Sequence, residues 1–251
     1  MLCDFKELKQ RIKSIFVNIL TCKASKTWLF LKDLRNYKKI STETVLIRDI
    51  YPCLRDEDSK SQTGRGSYFY QDVWALDKIK NIAPALHVDV GSRIDGFVGQ
   101  CSVFVPVTFI DIRPVVINLP NITYKQGSVI QLPYKSNELE SVSSLCVVEH
   151  IGLGRYGDAI DPNGTKEAIK ELQRVVRSKG TILVSVLLAT ENKVAFNAHR
   201  LFEPQSFTKL FKDCDLLEYS IALPDRLIYN GNFADYLDNK DVFGLFHFQK
   251  K

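Results

Sequence analysis

The sequence specifies an α/β fold with a mostly parallel sheet and helices on both faces. From residue 85 onward, short apolar strand-like runs alternate with helical periodicities, and one late helix is strongly amphipathic. Glycine or aspartate stands where the first two runs end.

Taken in order, residues 1–40 read as helix. Phe5, Leu8, Ile12, Ile15, Phe16 and Ile19 recur at three- and four-residue steps, with Lys6, Lys9, Arg11 and Lys13 between them. Trp28, Leu29, Leu31, Leu34 and Tyr37 form a second apolar group among lysines. The polar stretch 41–68, with Pro52 and the acidic cluster at 56–58, reads as a loop or linker. This places a basic helical segment and linker at 1–68 and an α/β domain at 69–251.

In the domain, 70–80 fits a short helix with Val73, Leu76 and Ile79 on one face. Strands follow over 85–90, 107–112, 122–126 and 142–148, the last nearly all apolar or small, as suits burial on both faces. Residues 93–103 form a helix between the first two. Ala168, Ile169, Leu172, Val175 and Val176 give the clearest helix, with Thr165 as its cap and Gly180 as its stop. A fifth strand over 181–188, a helix over 203–212 and strands over 216–222 and 242–248 complete a seven-stranded sheet.

Composition narrows the function classes. With 45% hydrophobic and 25% charged residues the 251-residue chain is an ordinary globular one. The longest apolar stretch, 181–190, is far short of the ~20 residues of a spanning helix, and no signal-peptide pattern opens the chain; a cytoplasmic location is expected. Residues 1–48 hold 11 Lys/Arg against 4 Asp/Glu, whereas the remainder holds 23 against 25. The basicity thus belongs to the N-terminal segment, which packs as a helix on protein or rests on the inner face of an anionic membrane. No helix-turn-helix, zinc finger or stacking sheet motif is present, so nucleic acid is set aside. The six cysteines make no C-x-x-C pair and no metal site, and read as reduced and structural.

In parallel sheets ligands bind beyond the carboxyl ends of the strands. The first strand ends in Asp89-Val90-Gly91-Ser92-Arg93, where glycine lets backbone approach a ligand and a helix start offers free N–H groups. Asp111 ends the second strand, placed to accept both hydroxyls of a ribose. Gly127-Ser-Val-Ile-Gln-Leu132-Pro133-Tyr134 precedes the fourth strand, and Glu149-His150 follows it.

That order of strand-glycine, strand-aspartate, G-x-x-x-x-L-P-aromatic and E-H resembles class I methyltransferases that use S-adenosylmethionine. More closely, the chain is similar to the methyltransferase-like family called domain of unknown function 268. The residues carrying this likeness are Tyr70-Gln71-Asp72, 87–97, Val148-Glu-His-Ile-Gly-Leu-Gly-Arg-Tyr-Gly-Asp158 and Phe196-Asn-Ala-His199-Arg200. The resemblance implies a Rossmann-like domain, an enzyme, S-adenosylmethionine as cofactor, and a cofactor site at Asp89, Gly91, Ser92, Arg93, Asp111, Ile112, Ser128 and Val129. Arg93 and Asp95 stand where that family pattern has glycines, and Ser128 where it has a carboxylate. The connection over 112–121 is too short for a full crossover helix.

Gly152-Leu-Gly154-Arg-Tyr-Gly157 spells a dinucleotide fingerprint, but 158–164 intervenes before the next helix and no strand-end acid follows at the right distance. These glycines shape a loop that carries Arg155, Tyr156 and Asp158 toward an acceptor, or simply satisfy turns. His150, beside Glu149, is the general-base candidate for a hydroxyl acceptor, with a loop-holding histidine as its equal alternative. Glu149, His150, Tyr156 and Asp158 are thus the catalytic candidates. Arg155, His199 and Arg200 are candidates for an anionic or sugar acceptor, with Tyr70 in a lid alongside Tyr68 and Gln71. The expected activity is methyl transfer to a small molecule such as a sugar or glycan intermediate; a catalytically silent binding or scaffold protein and a nucleotide-sugar enzyme are the alternatives.

Overall fold

The computed structural model describes residues 24–43, 45–47, 50, 52, 54, 66–236, 239 and 241–251. The helical periodicity over 5–19 and most of the linker lie outside these residues. The chain divides into two units, Met1–Thr63 and Gly64–Lys251. In the first, helix α1 spans Ala24–Ile40.

The second unit is built on one eight-stranded sheet: β1 His87–Val90, β2 Val107–Asp111, β3 Ile122–Gln126, β4 Leu139–Leu145, β5 Val176–Leu187, β8 Cys214–Ala222, β9 Leu227–Tyr229 and β10 Phe243–Lys250. Its order is β3-β2-β1-β4-β5-β10-β8-β9. β1 to β5 pair in parallel, and β10, β8 and β9 join antiparallel. Strands β6 Lys193–Ala195 and β7 His199–Leu201 form a separate hairpin. The strand order reverses between β1 and β4, and parallel sheets open a crevice at such a point.

Strand periodicity sorts the core into two layers. In β5, Ile182, Val184 and Val186 face one side, where helix α3 (Gly164–Val175) buries Ala168, Ile169, Leu172 and Val175. Leu183 and Leu187 face the other, where helix α2 (Ser67–Ile82) buries Trp74, Ala75 and Ile79 beside Phe97 and Val98 of a π-turn over Ile94–Val98. A short helix α4, Pro204–Thr208, is capped by the Glu203 side chain accepting N–H bonds from Gln205 and Ser206.

Several boundaries differ from the sequence expectation. β4 ends at Leu145 rather than 148, because Cys146 takes a φ of +54° and Val148–His150 winds into a 3₁₀ turn. Gly180 lies inside β5 and does not stop α3. That helix ends at Val175 because Val176 is already extended. At Gly180 a Cβ would stand 2.6 Å from Val176 Cγ1 and 3.0 Å from the Glu140 carbonyl, beside a register shift between Leu139 and Ser141. Thr165 donates to the Val148 carbonyl at 2.7 Å rather than capping the helix. β9 adds an eighth strand. As expected, no crossover helix joins β2 to β3.

Candidate active site

The turn after β1 is fastened from below. Asp89 is fully buried and accepts from the Ser92 backbone N–H at 3.0 Å, the Ser92 hydroxyl at 2.6 Å and the Ser143 hydroxyl. Burial pushes its carboxyl up to about 7, against the pull of these hydrogen bonds. The Ser92 hydroxyl accepts from the Leu145 N–H at 3.0 Å, which ties the turn to β4. Asp89 and Ser92 therefore hold the turn and do not line the cleft beyond it. Arg93 also lies away from the cleft. It forks onto Asp95 at 2.9 and 3.1 Å and lies 5.1 Å over the Tyr68 ring.

Gly91 does face the cleft. Its φ of +75° suits glycine, and a Cβ there would meet Val147 Cγ1 at 3.0 Å. The cleft of about 340 Å³ opens at the carboxyl ends of β1 and β2, with Ile110, Val129, Val147 and Ile151 as apolar walls. Asp111, Ile112 and Ser128 also line it. Asp111 is buried, yet the Arg113 guanidinium engages both its oxygens at 2.7 and 2.9 Å, and the Arg113 backbone N–H adds 2.8 Å.

The loop over 151–161 covers the cleft's far side. Gly152, Gly154 and Gly157 all have positive φ. At Gly152 a Cβ would stand 1.9 Å from the Asp161 carbonyl, so only glycine fits. Asp158 accepts N–H bonds from Gly152 at 2.6 Å, Tyr156 at 3.2 Å and Gly154 at 3.4 Å. Burial raises its carboxyl, but these bonds hold it below the ordinary value. Asp158 thus organises the loop. The guanidinium groups of Arg113 and Arg155 both lie over the Tyr156 ring, at 4.9 and 5.1 Å. Arg200 is buried behind the loop, donating to the Ile151 carbonyl at 2.5 Å, Thr165 Oγ1 at 3.2 Å and the Asp161 carbonyl at 3.3 Å. It braces the loop and is not placed to meet an acceptor.

A second cavity of about 390 Å³ is lined by Tyr68, His150, Arg155, His199 and Asp241. Tyr156 lines the first cleft and meets the His150 ring edge-on at 5.5 Å, so it stands between the two spaces. The Ala198 carbonyl, an acceptor only, lies 2.7 Å from His150 Nδ1 and 2.8 Å from Arg155 Nη1. That assigns the proton to Nδ1 and leaves the lone pair on Nε2. Burial lowers His150 to about 4, with Arg155 and His199 acting in the same direction. Glu149 Oε1 is 3.9 Å from Nε2. Glu149 is wholly buried, and burial pushes it up to about 8 against the weaker pull of its own backbone N–H and the Cys146 thiol beside it. Both groups are neutral at pH 7, so the pair is not an ion pair, and Glu149 reaches neither cavity. Tyr70 lines neither cavity; its hydroxyl donates to the Asp225 carbonyl at 2.5 Å.

The structure therefore gathers Gly91, Asp111, Ile112, Ser128, Val129, Tyr156 and Asp158 around one cleft and His150, Arg155 and His199 around its neighbour. Sequence reasoning did not find Arg113. An arginine two residues past a strand-end aspartate was the available signal.

Residues 129–225 match the family described as Caenorhabditis protein of unknown function, DUF268. No curated protein matches the chain. Among solved structures, it is similar to 1,6-didemethyltoxoflavin-N1-methyltransferase of Burkholderia thailandensis, solved with S-adenosylhomocysteine (11% identity, 78% of this chain and 83% of that one, TM-score 0.53). It is similar to the N-methyltransferase NodS of Bradyrhizobium japonicum, also with S-adenosylhomocysteine (13%, 73% and 87%, TM-score 0.52). It also resembles the [4+2]-cyclase SpnF (12%, 76% and 85%, TM-score 0.52). The chain has the Rossmann-like fold of class I methyltransferases and, over residues 129–225, the sequence pattern of the DUF268 family.

Proposed function

We propose that this chain is an S-adenosylmethionine-dependent methyltransferase acting on a small hydroxylated acceptor, such as a sugar or glycan intermediate. The observation that carries the reading is the cleft at the β1/β4 reversal, with Gly91 and buried Asp111 on its rim. These residues fit the nucleoside half of the cofactor: a cradle that a Cβ would narrow at Gly91, a carboxylate for ribose hydroxyls at Asp111, and an apolar slot beside Ile112, Ser128 and Val129. When bound, the cofactor supplies an electrophilic methyl group.

The chain's own part is positioning and proton handling. Arg113 yields Asp111 to the ribose; its side chain is half exposed and exchanges this ion pair for contact with water and the Tyr156 ring. Tyr156 lines the boundary at which the cofactor cleft meets the acceptor cavity. There Arg155 and His199 orient hydroxyl or anionic groups, and His150 Nε2 accepts the acceptor's proton. A second reading, a nucleotide-binding protein without methyl transfer, draws support from the cyclase activity named for SpnF, which shares the fold.

Incubation with methyl-labelled S-adenosylmethionine and a panel of sugars, sugar acids and their phosphates tests the proposal. Label transfer that falls in Arg155→Ala through a raised acceptor KM supports it. Absence of transfer to every acceptor, with the cofactor still bound, favours the second reading.

A further inference from the structure

We propose that the exposed stripe of helix α1 is a docking surface for an anionic lipid membrane. At 3.6 residues per turn, Trp28, Leu31, Lys32, Arg35, Lys38 and Lys39 fall within about a third of the helix circumference. All six are exposed, Trp28 at 64% and Leu31 at 55%. The acidic residue of the helix, Asp33, lies on the opposite side, and Phe30 and Leu34, which are half-buried, point away from the stripe. Lys32 Nζ sits 5.3 Å over the Trp28 ring, so cation and indole share one patch.

This combination selects among partners. An indole and a leucine ringed by four cations match a headgroup layer, where tryptophan lies at the interface and lysine and arginine meet lipid phosphates. A purely electrostatic partner gives the two exposed apolar side chains nothing to enter, and a purely apolar protein face gives the four cations nothing to neutralise. None of the described helices is long and apolar enough to cross a membrane, so the contact is a surface one. Apolar insertion and charge act together here, which is what stable peripheral binding requires.

Sedimentation of the full chain with phosphatidylcholine vesicles, with and without phosphatidylserine, tests the assignment. The wild type sediments with the phosphatidylserine vesicles alone, and added salt weakens the binding. Lys38→Gln and Lys39→Gln each lower the partition coefficient roughly five-fold, and Trp28→Ser lowers it further, with unchanged circular dichroism. Absence of binding, equal binding to both vesicle types, or binding that these variants leave intact would overturn the proposal. So would tighter retention on single-stranded RNA than on the vesicles at equal ionic strength.

Discussion

Glu149→Gln reverses sign in its effect on stability as pH rises. Glu149 is fully buried, and burial holds its carboxyl at about 8 against an ordinary 4.5. Below pH 4.5 the group is protonated in both folded and unfolded chains. Between 4.5 and 8 the unfolded chain releases the proton and the folded chain keeps it, so stability falls with rising pH and the loss is complete above 8. At about 1.4 kcal/mol per pH unit, the upper limit of that loss is on the order of 5 kcal/mol. Glutamine matches the size and does not titrate, but its amide carries one more donor hydrogen than the neutral carboxyl, and leaving that hydrogen unpaired in a buried site costs about 1–3 kcal/mol. The variant is therefore less stable than wild type at pH 5 and more stable at pH 8.5. Asp72 and Asp89, raised to about 6 and 7, lose stability in the same direction. His87 and His150, lowered to about 3 and 4, lose it as pH falls. These contributions cancel in the comparison of variant with wild type. Urea unfolding at both pH values, with unchanged m, measures the crossover. An equal stability difference at pH 5 and 8.5 would refute the assignment of a neutral buried acid.

Gly152→Ala forces a side chain into positive φ and against the Asp161 carbonyl. A loss of at least about 2 kcal/mol follows, read as a lower urea midpoint, together with weakened ligand binding in the cleft the loop covers. Arg200→Met strips hydrogen bonds from the Ile151 and Asp161 carbonyls and from Thr165. Thermal unfolding should show destabilisation of about 1–3 kcal/mol, while acceptor KM in the folded variant stays unchanged. Arg113→Ala frees Asp111 from a half-exposed ion pair of about 0.5–1 kcal/mol, so S-adenosylhomocysteine binds two- to five-fold tighter by calorimetry.

The alternation of strands and helices was legible because each apolar run is short and bounded, and β3 falls on the residues its pattern marks. The run through Val148 misled, since burial continues past Leu145 while the backbone turns at Cys146, and composition does not separate a buried strand from a buried turn. β9 is three residues long and carries no periodicity. In the site, Gly91 and Asp111 were readable from strand-end logic. Asp89 and Ser92 were not separable from them, because facing the cleft or facing β4 depends on pairing with Ser143 and Leu145, 54 and 53 residues away in sequence. Arg200 has the chemistry of a ligand residue and the location of a brace. Tyr68, two positions before Tyr70, takes the wall of the second cavity.

The most direct test of the central claim is calorimetric titration of the full chain with S-adenosylhomocysteine, in wild type and Asp111→Ala. Binding by the wild type that is lost in the variant is the predicted result. No heat of binding in the wild type, or undiminished affinity in Asp111→Ala, would contradict a nucleoside site at the end of β2.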